Sequence, residues 1–453
     1  MSHSISETQK YVYKPLLALA LPLIFIQICQ ASLGLVDTMV AGQYHYQDLA
    51  AVGLGSAMWT PVFILLTGIT FVLVPKVSHF TASGQQEEVL KVFQKGKKMA
   101  FWLAVIGFFL VQLLAFNTPW LIEDATVATI TQQYLHYIAL AIPAFVYTLL
   151  YRFMSEGSGK LAPIVKVFAM LLVINTALNL VFVFGVGSFS GLGGAGCGLA
   201  TAISAYVALF MMRKWVIKDV PAIAFTPDKL VDAQAAKQLF LEGLPIGVSF
   251  LVEVMALTAL AFCAAFLGVK QVAAHQIAIN IAMVAFMIPV ALSSATTIRI
   301  ANSVGDAGLR KRIAKASMVM ALVYGLLVAA LLLVWGQSLL SAFSQDQGTL
   351  LLATGLLVYV ALFQLFDAVQ IVAAGILRGM QRFVSPLLIL FVVYWLGVVP
   401  ISYLIVTMQA FDISASISTI WLLLSAGIGI VAIILCGIGF KQLSKGSQGE
   451  ALE

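Results

Sequence analysis

Three carboxylates stand inside long apolar stretches of the chain: Asp37, Glu253 and Asp367. A charge at the centre of a bilayer costs at least about 2.5–3.5 kcal/mol on insertion scales, so such a group faces protein or water and by default marks a route for ions or protons. Polar neighbours accompany each at helical spacing. Gln27, Gln30, Gly34 and Asp37 recur at intervals of 3, 4 and 3 and share one helical face. Gln364, Asp367 and Gln370 form a similar stripe, and Ser249 precedes Glu253 by one turn. Asn175 and Asn179 are one turn apart, Thr201 and Ser204 share another segment, and a further one carries His275, Gln276 and Asn280. These oxygens suit a hard monovalent cation, and the carboxylates can also take a proton. Asp37, Glu253 and Asp367 are therefore the candidate Na+ or H+ sites, with Gln30, Gln276 and Gln364 as candidate cavity walls. The competing reading is structural. A protonated carboxyl can tie helices together, the asparagines and Thr201 can hydrogen-bond between helices, and His275 can simply pack.

The elements that must hold these groups are membrane helices. Hydrophobic residues make up 61% of the 453 residues and charged residues 10%, too few charges to clothe a soluble protein of this size. Twelve runs reach the roughly 20 apolar residues a span needs. They lie near 15–41, 48–75, 99–117, 131–152, 163–184, 194–212, 238–266, 271–298, 316–336, 349–376, 384–408 and 415–440. The net charge of +6 does not point to nucleic acid, because the basic residues sit in short blocks between spans. All 25 lysines and arginines except Lys270 fall before the first span, after even-numbered spans or at the C-terminus. Positive charge stays inside, so both termini are expected in the cytoplasm.

The chain also repeats. Leu21-Pro22 recurs as Leu244-Pro245, Ala50-Ala51 as Ala273-Ala274, Lys76 as Arg299 and Pro163 as Pro386, always 223 residues on. The expected fold class is an all-α membrane protein, with twelve transmembrane helices in two pseudo-symmetric six-helix bundles. The expected division is residues 1–213, a cytoplasmic linker at 214–237 that includes Lys229, and residues 238–453. A cavity between the halves is the expected substrate route, and Pro22 is the candidate bending point of the first helix.

Several motifs imitate catalytic ones. Gly191-Leu-Gly193-Gly194-Ala-Gly196 fits a dinucleotide fingerprint but follows a membrane helix, where small residues serve packing. Gly157-Ser-Gly159-Lys160 lacks the first glycine and the hydroxyl residue of a phosphate loop, and Ser303-Val-Gly305-Asp306 only approaches a protease motif. No nucleotide or cofactor is implied. Cys29, Cys197, Cys263 and Cys436 share no C-x-x-C spacing and read as packing residues.

The same residues resemble the multidrug and toxic compound extrusion family, MATE, and most closely its NorM branch. The resemblance rests on Val36-Asp37-Thr38-Met39-Val40-Ala41-Gly42, the run from Gly193 to Ile203, Ala273-Ala274-His275-Gln276, and Asp367-Ala368-Val369-Gln370 with Leu377-Arg378-Gly379. It implies a transporter, not an enzyme, that exports cationic amphipathic drugs across the bacterial inner membrane against inward Na+ or H+. It implies that Asp37 takes up the coupling cation or proton with Asn175, Asn179 and Thr201 as companions, and that Glu253 and Asp367 form a Na+ pair. One departure is Phe363, where some relatives place a tyrosine one turn before the aspartate. The expected partners are cationic drugs and the lipid bilayer, with no nucleic acid, and the protein is expected to be a monomer. The alternative is a flippase for lipid or a lipid-linked precursor. It calls for a basic cavity, and no lysine or arginine reads as mid-span.

Overall fold

The computed structural model describes residues 9–220, 223, 233–341, 346–408 and 416–449. Lys229 and the middle of the expected linker, 224–232, lie outside the described residues. Among the described residues, twelve helices are long and apolar enough to cross a membrane. We number them α1 (Tyr11–Tyr44), α2 (Tyr46–Ala82), α3 (Gln86–Leu121), α4 (Ala125–Gly157), α5 (Ala162–Phe184), α6 (Gly194–Asp219), α7 (Ala233–Ala265), α8 (Val269–Asn302), α9 (Ala307–Leu340), α10 (Gln347–Gly379), α11 (Val384–Met408) and α12 (Ile417–Ser444). Each expected span falls on one of these helices. The helices mostly overrun the apolar runs because their polar ends continue the same hydrogen-bond ladder.

Local chemistry sets the ends. Asp124, Asp306 and Asp346 cap α4, α9 and α10 by accepting from Val127 N, Leu309 N and Thr349 N at 2.9, 2.7 and 2.8 Å. Such caps satisfy amide donors that the first turn leaves free. Asp306, the end of the protease-like motif, thus has a structural use. The phosphate-loop imitation is the C-terminal end of α4, where Gly159 turns the chain at φ +71°. In the dinucleotide-like stretch Gly193 takes φ +58°, and Gly194 N donates to the Asp48 carboxylate. A Cβ at Gly196 would meet Phe182 O at 2.5 Å, so α6 can approach α5 only with glycine there.

The chain forms two compact units: Met1–Ile24 with Leu251–Glu453, and Phe25–Phe250. These differ from the expected division at the linker, because the boundaries fall inside α1 and α7. Packing supplies the reason. In the first unit Val12 is buried with Ile300, Ile313, Ala314 and Ile376, and Arg299 donates to Tyr11 O at 3.1 Å. In the second unit Gly68 packs directly on Gly247, where a Cβ would lie 2.5 Å from the opposing Cα, and Lys76 pairs with Glu242 at 2.6 Å. The start of α1 and the start of α7 are thus bound to helices of the opposite sequence half.

Candidate functional site

Within the Phe25–Phe250 unit a cavity of about 240 Å³ opens beside Asp37. Asp37 is only 8% exposed. Its carboxylate is held from two helices. Asn179 Nδ2 on α5 donates to Oδ1 at 2.6 Å, and Thr201 Oγ1 on α6 donates to Oδ2 at 3.1 Å. Asn179 Nδ2 also reaches Asn175 Oδ1 at 3.1 Å, and Asn175 Nδ2 reaches Thr201 Oγ1 at 3.4 Å. Asp37, Asn175, Asn179 and Thr201, far apart in sequence, therefore close into one ring of hydrogen bonds. The one-turn spacing of Asn175 and Asn179 puts both amides on the same face of α5. Asn179 is fully buried, and Asp37, Asn175 and Thr201 line the cavity.

The remaining walls were not legible as a site. Trp59 stacks on Phe145 with centroids 5.8 Å apart and rings 2° from parallel, and Phe63 meets both edge-on. Tyr134 Oη lies 3.1 Å from Ser56 Oγ and accepts from Trp59 Nε1 at 3.4 Å. Arg152 also lines the cavity; it donates to Gln30 Oε1 at 3.0 Å and lies over the Phe168 ring at 5.3 Å. Arg152 lies near the end of its helix, not mid-span, yet it still reaches the cavity. Arg152 sits on α4, 7% exposed, with Glu156 one turn on at 3.5 Å and 1% exposed. Gln30 lines the cavity as expected.

The first unit carries the second carboxylate cluster. Gln370 Nε2 donates to Glu253 Oε1 at 3.1 Å. Asp367 is 2% exposed, and its Oδ1 and Gln370 Oε1 are buried with no hydrogen-bond partner. Arg378, in the last turn of α10 and buried, lies in electrostatic range of Glu253. Gln364 is buried and donates to Ala282 O at 2.9 Å, whereas Gln276 is exposed on α8 and is not among the residues lining the described cavity. Ser249 is spent on Ile246 O of its own helix at 2.7 Å. His275 packs against Trp421, which in turn receives Phe363 edge-on at 5.8 Å. Pro22 lies inside a helix that continues from Lys14 to Tyr44. Among the described residues no three His, Cys, Asp or Glu come together as a metal site. Each cluster instead sets one or two carboxylates among neutral side-chain amides and hydroxyls.

Comparison with known proteins agrees with this architecture. The MatE family model matches residues 22–181 and again 245–404, two copies displaced by the same 223 residues as the internal repeat. The chain is similar to the multidrug resistance protein MdtK of Yersinia pestis (strain Pestoides F), 32% identical over 412 residues that cover 88% of this chain and 89% of that protein. The MdtK protein of Proteus mirabilis (strain HI4320) matches with the same identity and coverage. In fold it is similar to the eukaryotic MATE transporter AtDTX14, with a TM-score of 0.84 at 17% identity, covering 97% of this chain and 98% of that one. Twelve membrane helices, a sequence-level repeat matched twice and near-complete coverage by relatives lead to one conclusion: the chain belongs to the MatE family of membrane transporters, and it is not an enzyme.

Proposed function

We propose that the protein exports cationic amphipathic drugs across the bacterial inner membrane in exchange for Na+ or H+, with both termini in the cytoplasm. The observation that carries this reading is Asp37, a buried carboxylate at the edge of an aromatic-walled cavity. When charged, it is supported by the Asn179 and Thr201 donors and attracts a cation. Trp59, Phe63, Phe145 and Phe168 offer apolar area and ring faces to the body of a drug. A proton or Na+ on Asp37 cancels that attraction, so drug and coupling ion exclude each other. A cavity of about 240 Å³ is below the roughly 300–1,000 Å³ of drug-sized sites. The conformation described therefore suits a small cation, and drug entry requires the walls to part. Pro22 in α1 is the bending point assigned to that step, so Pro22→Ala should slow turnover more than it weakens drug affinity.

The flippase alternative gains Arg152 as a basic group in the cavity. Glu156 lies against that guanidinium, however, and Asp37 remains the uncompensated charge. This favours cationic cargo over an anionic head group. The test is efflux of a cationic dye from proteoliposomes under an imposed Na+ gradient or an imposed pH gradient, each alone. One gradient should drive efflux by the native protein, and neither should drive it for Asp37→Asn. Efflux by Asp37→Asn at the native rate would remove Asp37 from the mechanism.

A further inference from the structure

The two repeats of the chain treat one basic position differently. Lys76 and Arg299 are equivalent at the 223-residue offset. Lys76 is neutralised by Glu242 at 2.6 Å. Arg299, half-buried near the end of α8, makes no ion pair among the described residues. It donates to Tyr11 O at 3.1 Å, and its Nε is buried without a hydrogen-bond partner. A backbone carbonyl brings no charge to offset a guanidinium, and buried donors are normally satisfied by protein, water or an ion.

The surroundings of Arg299 add positive charge. Arg310 turns back onto α8 and donates to Ser303 O at 2.8 Å, while Ser303 Oγ donates to Arg299 O at 2.8 Å. Val12, beside Tyr11, packs with Ile313 and Ala314, which joins the start of α1 to the start of α9. Lys14 is exposed on α1, and Lys311, Arg312 and Lys315 are exposed on the first turns of α9. The acid of this turn, Asp306, is occupied in capping α9. In the Phe25–Phe250 unit, by contrast, Lys76, Lys91 and Arg152 all have carboxylate partners.

Next to these cations lies apolar surface. α9 is the least buried of the twelve helices. Lys311, Lys315, Val319 and Leu322 follow at intervals of 4, 4 and 3 on one of its faces, and all are exposed. Basic heads give way to aliphatic side chains along one line, which is the order of an anionic headgroup and its tails. Basic clusters at the membrane surface attract anionic lipid, and the guanidinium fork matches phosphate oxygens.

We propose that Arg299, Arg310 and the basic first turns of α9 form a binding site for the phosphodiester headgroup of an anionic phospholipid, with its acyl chains along α9. The lipid phosphate takes the part for Arg299 that Glu242 plays for Lys76. The site binds this lipid whichever ion or cargo the protein carries.

The test uses purified full-length protein in dodecyl maltoside. Its melting temperature is followed as phosphatidylglycerol, phosphatidylcholine or inorganic phosphate is added. A saturable rise is expected with phosphatidylglycerol alone. Arg299→Gln keeps a donor for Tyr11 O and should raise the half-saturating phosphatidylglycerol about fivefold, the loss of one cation beside the headgroup. Lys76→Gln removes a cation that is already paired and should leave the half-saturation within about twofold of the native value. Where Arg299→Gln yields no folded protein, Lys311→Gln combined with Arg312→Gln at exposed positions should give the same rise in half-saturation. A half-saturation within about twofold of native in the tested variant overturns the site. So does an equal response to phosphatidylcholine, or a Lys76→Gln effect as large as that at Arg299. A rise with inorganic phosphate alone assigns the cations to free anions and overturns the lipid.

Discussion

Asn179 Nδ2 lies 2.6 Å from Asp37 Oδ1, although 142 positions separate the two residues. It is the shortest link in the ring, and the asparagine is fully buried behind the carboxylate. Asn175 touches that carboxylate only through Asn179 and Thr201. Removing a donor from a buried carboxylate costs about 1–3 kcal/mol or more. Asn179→Ala is therefore expected to lower dye efflux at least about tenfold at equal membrane level, and Asn175→Ala to lower it less. Initial efflux rates in a drug-sensitive host, normalised by blot, measure the order, and an Asn175 effect larger than that of Asn179 would contradict the geometry.

Arg152 and Glu156 form a buried pair one helical turn apart, with Nε and Oε2 at 3.5 Å. Breaking one partner of such a pair leaves a bare charge and costs about 3–5 kcal/mol, whereas replacing both with apolar residues is often neutral. Arg152→Met should thus destabilise the protein strongly, and Arg152→Met combined with Glu156→Met should recover most of the loss. Thermal melts in detergent resolve the three variants. Equal stability of the single variant and the native protein would show that the pair carries no burial cost.

The Gly68–Gly247 contact leaves no space for a side chain, since a Cβ on Gly68 would stand 2.5 Å from the opposing Cα. Both glycines sit inside helices, where alanine is intrinsically favoured by about 1 kcal/mol. Overpacking costs about 1–3 kcal/mol and should win. Gly68→Ala and Gly247→Ala are each expected to lower the melting temperature, and the pair together by less than the sum. A rise in either single variant would show that the helices can part freely.

Asp346 caps α10 through both Thr349 N and Thr349 Oγ1 at 2.8 Å, with Lys270 at 3.4 Å. The Thr349 hydrogen bonds, more than the lysine, hold its carboxyl below the ordinary value of 3.8. A depressed acid contributes stability above its unfolded value, and that contribution is lost as pH falls below about 4 through the folded value. The first turn of α10 should accordingly fray only in strong acid. Hydrogen exchange at the opening amides of α10 measures this. Asp346→Ala should remove the protection at every pH, and fraying of the native helix already at pH 6 would contradict the assignment.

The spans were legible because length and hydropathy suffice when every backbone group must be bonded inside the segment. The Asp37 ring was legible in part, since helical spacing put Asn175 and Asn179 on one face and the carboxylate was conspicuous among apolar neighbours. Arg152 was not, because an arginine near the end of an apolar run reads as loop charge. Only the turn of α4 that carries it shows that it points into the cavity. Trp59, Phe63 and Phe145 carry no signal that separates a cavity wall from a lipid-facing surface. The unit boundaries inside α1 and α7 fall where composition does not change.

Those boundaries have a consequence for biogenesis. The first helix is made before the helices that bury Val12 and bond the Tyr11 carbonyl exist, since its start belongs with residues beyond Leu251. At about 5–20 residues per second, the ribosome needs on the order of 10 to 45 seconds to reach them. Through that interval the nascent N-terminus lacks its native neighbours and depends on lipid or the insertion machinery for cover. Severing the chain at the linker would likewise part each unit from a helical segment that it needs. Two half-chains expressed separately should therefore be degraded alone and rescued only when they are synthesised together in one cell.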